Sequence, residues 1–259
     1  MLNRAFHFFK GFTYYGFSYN GETFPQECLT EELFSAEEVE QVFKRSKSCF
    51  AAEWKHSGSG MTFFYKRNPR KNWKYTLRYL FRKVRVYRAA KVTEHLLRAG
   101  IPTPAVYFCG VKRHMGLPVC GISGSEFLTG AQSGYELIRD AGSPEDIYEI
   151  TREITVLLRR IHDSGVYHGD YKLHNIYRQN GKFGVIDLDG SRIFRSGTPE
   201  KYRKADLIRL LVAVVHTRND DFSMLPDLTW LVRKTYQSTF TEEELIRGVH
   251  QFFRHTPPT

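Results

Sequence analysis

Short apolar runs dominate the first half of this chain, and longer stripes at helical spacing dominate the second. Val39, Val42 and Phe43 lead into Lys44-Arg45-Ser46-Lys47-Ser48, and Cys49 to Trp54 makes a second apolar segment. After the turn Ser57-Gly58-Ser59-Gly60, Met61 to Lys66 makes a third, so residues 37–68 read as strands. Ala105 to Val111 is another strand, followed by Val119 to Ile122 and Glu126 to Leu128. Between these groups, Trp73, Leu77, Leu80, Phe81, Val84 and Tyr87 recur at helical spacing. That helical pattern continues through Ala89 to Ala99 and stops at Gly100, just before Ile101-Pro102. Residues 131–250 read as mostly helical. Ser143-Pro144-Glu145-Asp146 combines a cap, a first-turn proline and acids. Ile147, Ile150, Ile154, Leu157, Leu158 and Ile161 then form a buried stripe, and Gly165 ends the helix. Strands followed by helices predict an α+β fold.

Residues 1–36 fit neither period. Phe6, Phe8, Phe9, Phe12, Tyr14, Tyr15, Phe17 and Tyr19 crowd a stretch broken by glycines, and Asn20-Gly21 suggests a turn between strands. The stretch reads as an N-terminal extension whose rings pack on the first lobe, the remainder dividing into 37–128 and 129–259.

Composition narrows the setting. A chain of 259 residues can build one large domain or two lobes. Hydrophobic residues at 41% and charged residues at 25% match an ordinary soluble protein. Cys28, Cys49, Cys109 and Cys120 form no Cys-x-x-Cys pair and read as reduced cytosolic thiols. No signal peptide is read at Met1 to Lys10, and no apolar stretch is long enough to span a bilayer. The formal charge of +10 suggests an anionic partner. It concentrates in residues 44–91, where fifteen Lys and Arg residues face Glu53 as the single acid. A basic amphipathic helix there suits its own lobe, a membrane surface or nucleic acid.

The chemistry lies in His168-Gly169-Asp170-Tyr171-Lys172-Leu173-His174-Asn175 and in Ile186-Asp187-Leu188-Asp189. Asn180-Gly181 separates two short apolar runs between them, which is a strong hairpin signal. Such a hairpin brings Asn175 and Asp187 to the same end of two paired strands. The result is one acceptor for a substrate proton, Asp170, and two oxygen ligands for a hard cation, Asn175 and Asp187. That is the equipment of phosphoryl transfer.

This stretch resembles the catalytic loop and metal-binding Asp of the protein-kinase-like superfamily, with His-Gly-Asp in place of His-Arg-Asp and Ile-Asp-Leu-Asp in place of Asp-Phe-Gly. The resemblance implies a bilobal fold, with a small antiparallel-sheet N-lobe and a mainly helical C-lobe. It implies that ATP and magnesium are used. Lys66 would contact the nucleotide phosphates, with Glu94 as its carboxylate partner. Backbone groups at Glu126, Phe127 and Leu128 would meet adenine in the hinge. His168 would orient the loop, Lys172 would neutralise the transferring phosphoryl group, and Asp189 would be a second metal ligand. The glycine-rich phosphate loop is missing; Ser46 and Ser48 stand where it belongs. Ser191 to Thr198 is short for a peptide-holding activation segment, and Thr198-Pro199-Glu200 only partly imitates its anchor. Asp206 heads the helix Leu207 to Val215, as a cap or as a partner of the loop.

Leu96 to Pro104, Arg160 to Asp170 and Ile186 to Asp189 resemble bacterial lipopolysaccharide core kinases, which phosphorylate Kdo or heptose. The resemblance covers about residues 37–215. It implies an anionic, lipid-linked sugar acceptor and a cytoplasmic enzyme peripheral to the inner membrane, held there by the basic 66–91 region. Nucleic acid is then the disfavoured partner. A RIO-type atypical protein kinase or ATPase, a non-catalytic pseudokinase scaffold, and an aminoglycoside or choline phosphotransferase are the competing readings.

Overall fold

A computed structural model of the chain describes residues 1–35, 39–46, 49–57, 60–69 and 85–255. The basic stretch 70–84, Ser48, Gly58 and the tail beyond His255 lie outside the described residues. The chain divides into two compact units: residues 1–95 with 104–128, and residues 96–103 with 129–259.

The first unit is built on an antiparallel sheet. Its strands are β1 (Arg4–Lys10), β2 (Thr13–Tyr19), β3 (Gln41–Ser46), β4 (Cys49–His56), β5 (Met61–Pro69), β6 (Val106–His114) and β7 (Leu117–Ser125), in the order β1-β2-β6-β7-β5-β4-β3. Residues 1–36, expected as an extension set against the lobe, supply the first two strands of the sheet itself. The turn between them is at Gly11 (φ +58°), which needs a left-handed backbone. Asn20-Gly21 leads from β2 into the 3-10 turns Gln26–Cys28 and Glu31–Phe34, so it does not join two strands. Alternation along the strands explains the aromatic crowding. Tyr15, Phe17, Tyr19, Phe50, Phe63, Tyr65 and Phe108 share one buried cluster with Phe24, Leu29 and Leu33 of the turn region. Cys109 and Val111 alternate with Phe108, and they pack with Val86 and Ala90 of helix α1 (Arg85–Arg98). α1 ends as expected at Gly100 (φ +69°), where the Gly100 and Ile101 N–H groups reach back to Leu97 and Leu96. β7 lies inside the sheet between β6 and β5.

The second unit is mainly helical: α2 (Gly134–Arg139), α3 (Pro144–Asp163), α4 (Glu200–Thr217), α5 (Leu225–Tyr236) and α6 (Glu242–His255). Ser143 closes a full capping box with Asp146 at the start of α3, and Ile147, Ile154, Leu157, Leu158 and Ile161 are buried as the periodicity predicts. α4 starts at Glu200, so Asp206 lies within the helix rather than heading it. Short strands carry the polar loops. β9 (Ile176–Gln179) pairs with β10 (Lys182–Val185), and β8 (Val166–Tyr167) pairs with β11 (Arg192–Ile193). Among the described residues, no helix is long and apolar enough to cross a membrane.

Candidate active site

The Asn180-Gly181 turn forms as the sequence predicts. Both residues have positive φ (50° and 73°), the backbone that joins two strands through a two-residue loop. Ile176 pairs with Val185, and the Ile186 N–H donates to the Asn175 carbonyl at 2.9 Å. Asn175 and Asp187 therefore flank the same end of one hairpin. Asp187 is left-handed (φ 57°, ψ 58°), and its side chain is exposed. Such a backbone costs a non-glycine residue roughly 1–3 kcal/mol and persists where the surroundings impose it. Here the bonded Ile186 on one side and the 3-10 turn Leu188–Gly190 on the other hold it. Asp189 sits half-buried in that turn.

The loop carrying Asp170 is fixed from beneath by Asp206, which is fully buried. Its carboxylate accepts from the backbone N–H of His168 (2.9 Å) and Gly169 (3.1 Å). It also meets Nε2 of buried His162 at 3.2 Å. Nδ1 of His162 lies 2.6 Å from the Tyr236 hydroxyl, and that oxygen accepts from Arg203 at 3.2 Å. The Tyr236 proton therefore points to Nδ1, and Nε2–H donates to Asp206. Burial holds His162 below the usual imidazole range, against the pull of Asp206. Above the loop, Ser191 Oγ donates to the His168 carbonyl at 2.7 Å, and Tyr171 donates to Ile154 of α3 at 2.8 Å. Gly169 has φ +84°, and a Cβ there would come 2.9 Å from the Gly190 carbonyl oxygen. The glycine of His-Gly-Asp is thus demanded by backbone geometry and by close approach to the Asp187 turn.

Held this way, Asp170 collects three side chains. Oδ2 accepts from Asn175 Nδ2 (2.9 Å) and from Lys172 Nζ (3.0 Å), while Oδ1 meets Arg209 of α4 at 3.3 Å. Asn175 Nδ2 also donates to the Asp170 carbonyl at 2.9 Å. With its nitrogen committed twice, the Asn175 amide has only Oδ1 to offer a cation. That oxygen and the Asp187 carboxylate fit a hard ion such as magnesium, whose other ligands are usually water and substrate phosphate. No three His, Cys, Asp or Glu side chains gather at metal-binding distance among the described residues. His168 is buried; its Nδ1 accepts from the Asp170 N–H at 3.3 Å. Burial keeps its pKa lowered despite nearby Asp206, Asp170 and Asp187. It orients the backbone and sits poorly for proton transfer to solvent.

The remaining expected residues lie in the first unit. Lys66 is half-buried on β5, opposite Ala51 of β4 and Ser123 of β7, and alternates with the buried Tyr65. Glu94 accepts from the Leu2 N–H at 2.6 Å. The Glu126 N–H donates to the Ala105 carbonyl at 2.8 Å, and its carboxylate accepts from the Ala105 N–H, so that N–H is already committed. Phe127 stacks on Phe43 with centroids 6.1 Å apart, and Leu128 closes the unit. The Ser46 hydroxyl bonds both backbone groups of Cys49, closing its own hairpin.

Arg209 was missed by sequence reasoning. Its one signal is a cation interrupting the apolar run Leu207 to Val212 on a helix that also carries Asp206. The clamp of His162 and Tyr236 has no local signature, since its members are 74 and 44 residues from one another along the chain.

The model of the lipopolysaccharide kinase (Kdo/WaaP) family matches residues 34–243. A solved structure of WaaP in complex with acyl carrier protein superposes with a TM-score of 0.59. That match covers 86% of this chain and 89% of the other at 16% identity, so the two share a fold. No protein of curated function matches the chain in sequence.

Proposed function

The chain belongs to the lipopolysaccharide kinase (Kdo/WaaP) family, phosphotransferases with an alcohol group as acceptor, and on that premise we propose that it transfers the γ-phosphoryl group of ATP to a hydroxyl of Kdo or heptose in a lipopolysaccharide core precursor. The observation that carries this reading is the Asp170 carboxylate, gripped by Asn175, Lys172 and Arg209 beside the turn that presents Asp187. Asp170 orients the sugar hydroxyl and takes its proton as that oxygen attacks the γ-phosphorus and ADP departs. Lys172, at the mouth of the loop, offsets the negative charge of the phosphoryl group in flight. Asn175 Oδ1 and Asp187 would hold magnesium, with Asp189 as a further ligand; when bound, the ion neutralises phosphate charge. His168 keeps the loop backbone in place. In the first unit, Lys66 grips the nucleotide phosphates with Glu94 as its helper, Leu128 and Phe127 border adenine, and Ser46 and Ser48 stand in for the absent glycine loop.

A lipid-linked acceptor places the enzyme at the cytoplasmic face of the inner membrane, where the basic 66–91 region suits an anionic leaflet at about 1 kcal/mol per cation. The test is Asp170→Asn, an isosteric change that removes the proton acceptor. Phosphate transfer from radiolabelled ATP to core precursor should fall by at least about a thousandfold while the circular dichroism spectrum is kept. Transfer at the wild-type rate would remove Asp170 from the mechanism.

A further inference from the structure

Beside Asp170 the second unit builds a cation–aromatic platform that nothing in the phosphoryl-transfer machinery uses. Tyr167, immediately before the catalytic loop, packs its ring 4.7 Å from Tyr202 of α4. Phe194 lies 5.1 Å from the same Tyr202 ring. Arg192, the cross-strand partner of Tyr167, sets its guanidinium 5.9 Å from the Tyr202 ring centre and donates to the Tyr202 hydroxyl at 3.4 Å. Lys201 stands over the same ring at 5.1 Å. Seven residues along α4 from Tyr202, about two turns on the same helix face, stands Arg209, the residue bonded to Asp170. Tyr202 and the arginine that holds the proton-accepting carboxylate therefore share one face of α4.

Its charge is unbalanced. Among the described residues neither Arg192 nor Lys201 meets a carboxylate, although both are exposed. Arg209 gives one of its five N–H donors to Asp170, which leaves others to bind outward. Exposed cations gathered on aromatic rings lack only an anion, and guanidinium forks match carboxylate and phosphate oxygens in particular.

We propose that Arg192, Tyr202 and Arg209 form an acceptor subsite that reads an anionic group, carboxylate or phosphate, carried on the sugar that bears the hydroxyl to be phosphorylated or on its neighbour. This rests on the sugar-kinase reading above and adds to it which residues select the acceptor. The basic 66–91 region would serve the lipid surface, whereas this subsite inspects the sugar itself.

The experiment compares acceptors with and without the charge. One pair is lipid A-linked Kdo and its carboxyl methyl ester. The other is a heptose-terminated core before and after phosphatase treatment. The enzymes are wild type, Arg192→Gln and Lys201→Gln, all at saturating ATP. Arg192→Gln should lower kcat/KM about tenfold to a hundredfold on the charged acceptor, mainly through KM. It should change little on the matching neutral acceptor and leave KM for ATP unchanged. Lys201→Gln should show the same selectivity at smaller size. The pair that responds identifies the anion as carboxylate or phosphate. Equal losses on charged and neutral acceptors, or no loss on either, would overturn the subsite while leaving the kinase assignment standing. A wild-type enzyme that phosphorylates none of the four sugars would overturn both.

Discussion

Asp206→Asn is the sharpest probe of how the loop is held. The substitution keeps shape and volume but turns one acceptor oxygen into an NH2 donor. In the native protein every hydrogen bond at that carboxylate is accepted: from His168 N–H at 2.9 Å, Gly169 N–H at 3.1 Å and His162 Nε2 at 3.2 Å. Whichever oxygen becomes nitrogen, a donor then faces a donor in a site with no solvent exposure. A hydrogen bond to a charged group contributes about 1.5–3 kcal/mol, and a buried group left unpaired costs about 1–3 kcal/mol. One lost bond plus one stranded donor gives a loss of roughly 3–5 kcal/mol, in the range found when a buried ion pair loses one partner. For a domain of this size each kcal/mol moves Tm by roughly 2–4 °C, so a drop of about 6–20 °C is expected. Activity should fall further than stability explains, because Gly169 is the residue before Asp170. The assay pairs thermal denaturation with phosphate transfer measured well below the variant's midpoint. A midpoint within two degrees of wild type, with unchanged kcat, would show that Asp206 does not clamp the loop.

Two further predictions follow from the same loop. Gly169→Ala should cut kcat at least about tenfold and lower Tm, since a Cβ would sit 2.9 Å from the Gly190 carbonyl at a φ of +84° that costs an alanine about 1–2 kcal/mol; steady-state kinetics with normal turnover would refute this. His162 and His168 are both held below the ordinary imidazole pKa by burial. The unfolded chain therefore binds protons more readily, and stability is complete above about pH 6.5 and declines as pH falls below it. The slope is at most about 1.4 kcal/mol per pH unit for each histidine. Urea midpoints at pH 7.5 and 5.5 measure it, and equal midpoints would contradict the buried neutral state.

What the chain order alone decides here is local. The Asn180-Gly181 hairpin, the Ser143 capping box, the Gly100 stop and the spacing from Asp170 to Asn175 depend on residues a few positions apart. Backbone φ preferences and short-range hydrogen bonds already choose their conformations. The proposed site was legible for the same reason: one turn and one hairpin bring Asp170, Asn175 and Asp187 together. Tertiary structure decided the rest, because its partners are far apart in sequence and carry no periodic mark. Arg209 reaches Asp170 from 39 residues away. Asp206, expected either to cap a helix or to bond the loop, does the second, because α4 begins six residues earlier and turns that face toward the loop. The aromatic first strands look like an extension until β2 pairs with β6, some ninety residues on, and their rings find the core that the 3-10 turns cover. Long-range pairing is settled by which faces can be buried together, and that follows from the folded sheet and bundle rather than from any stretch of the chain read by itself.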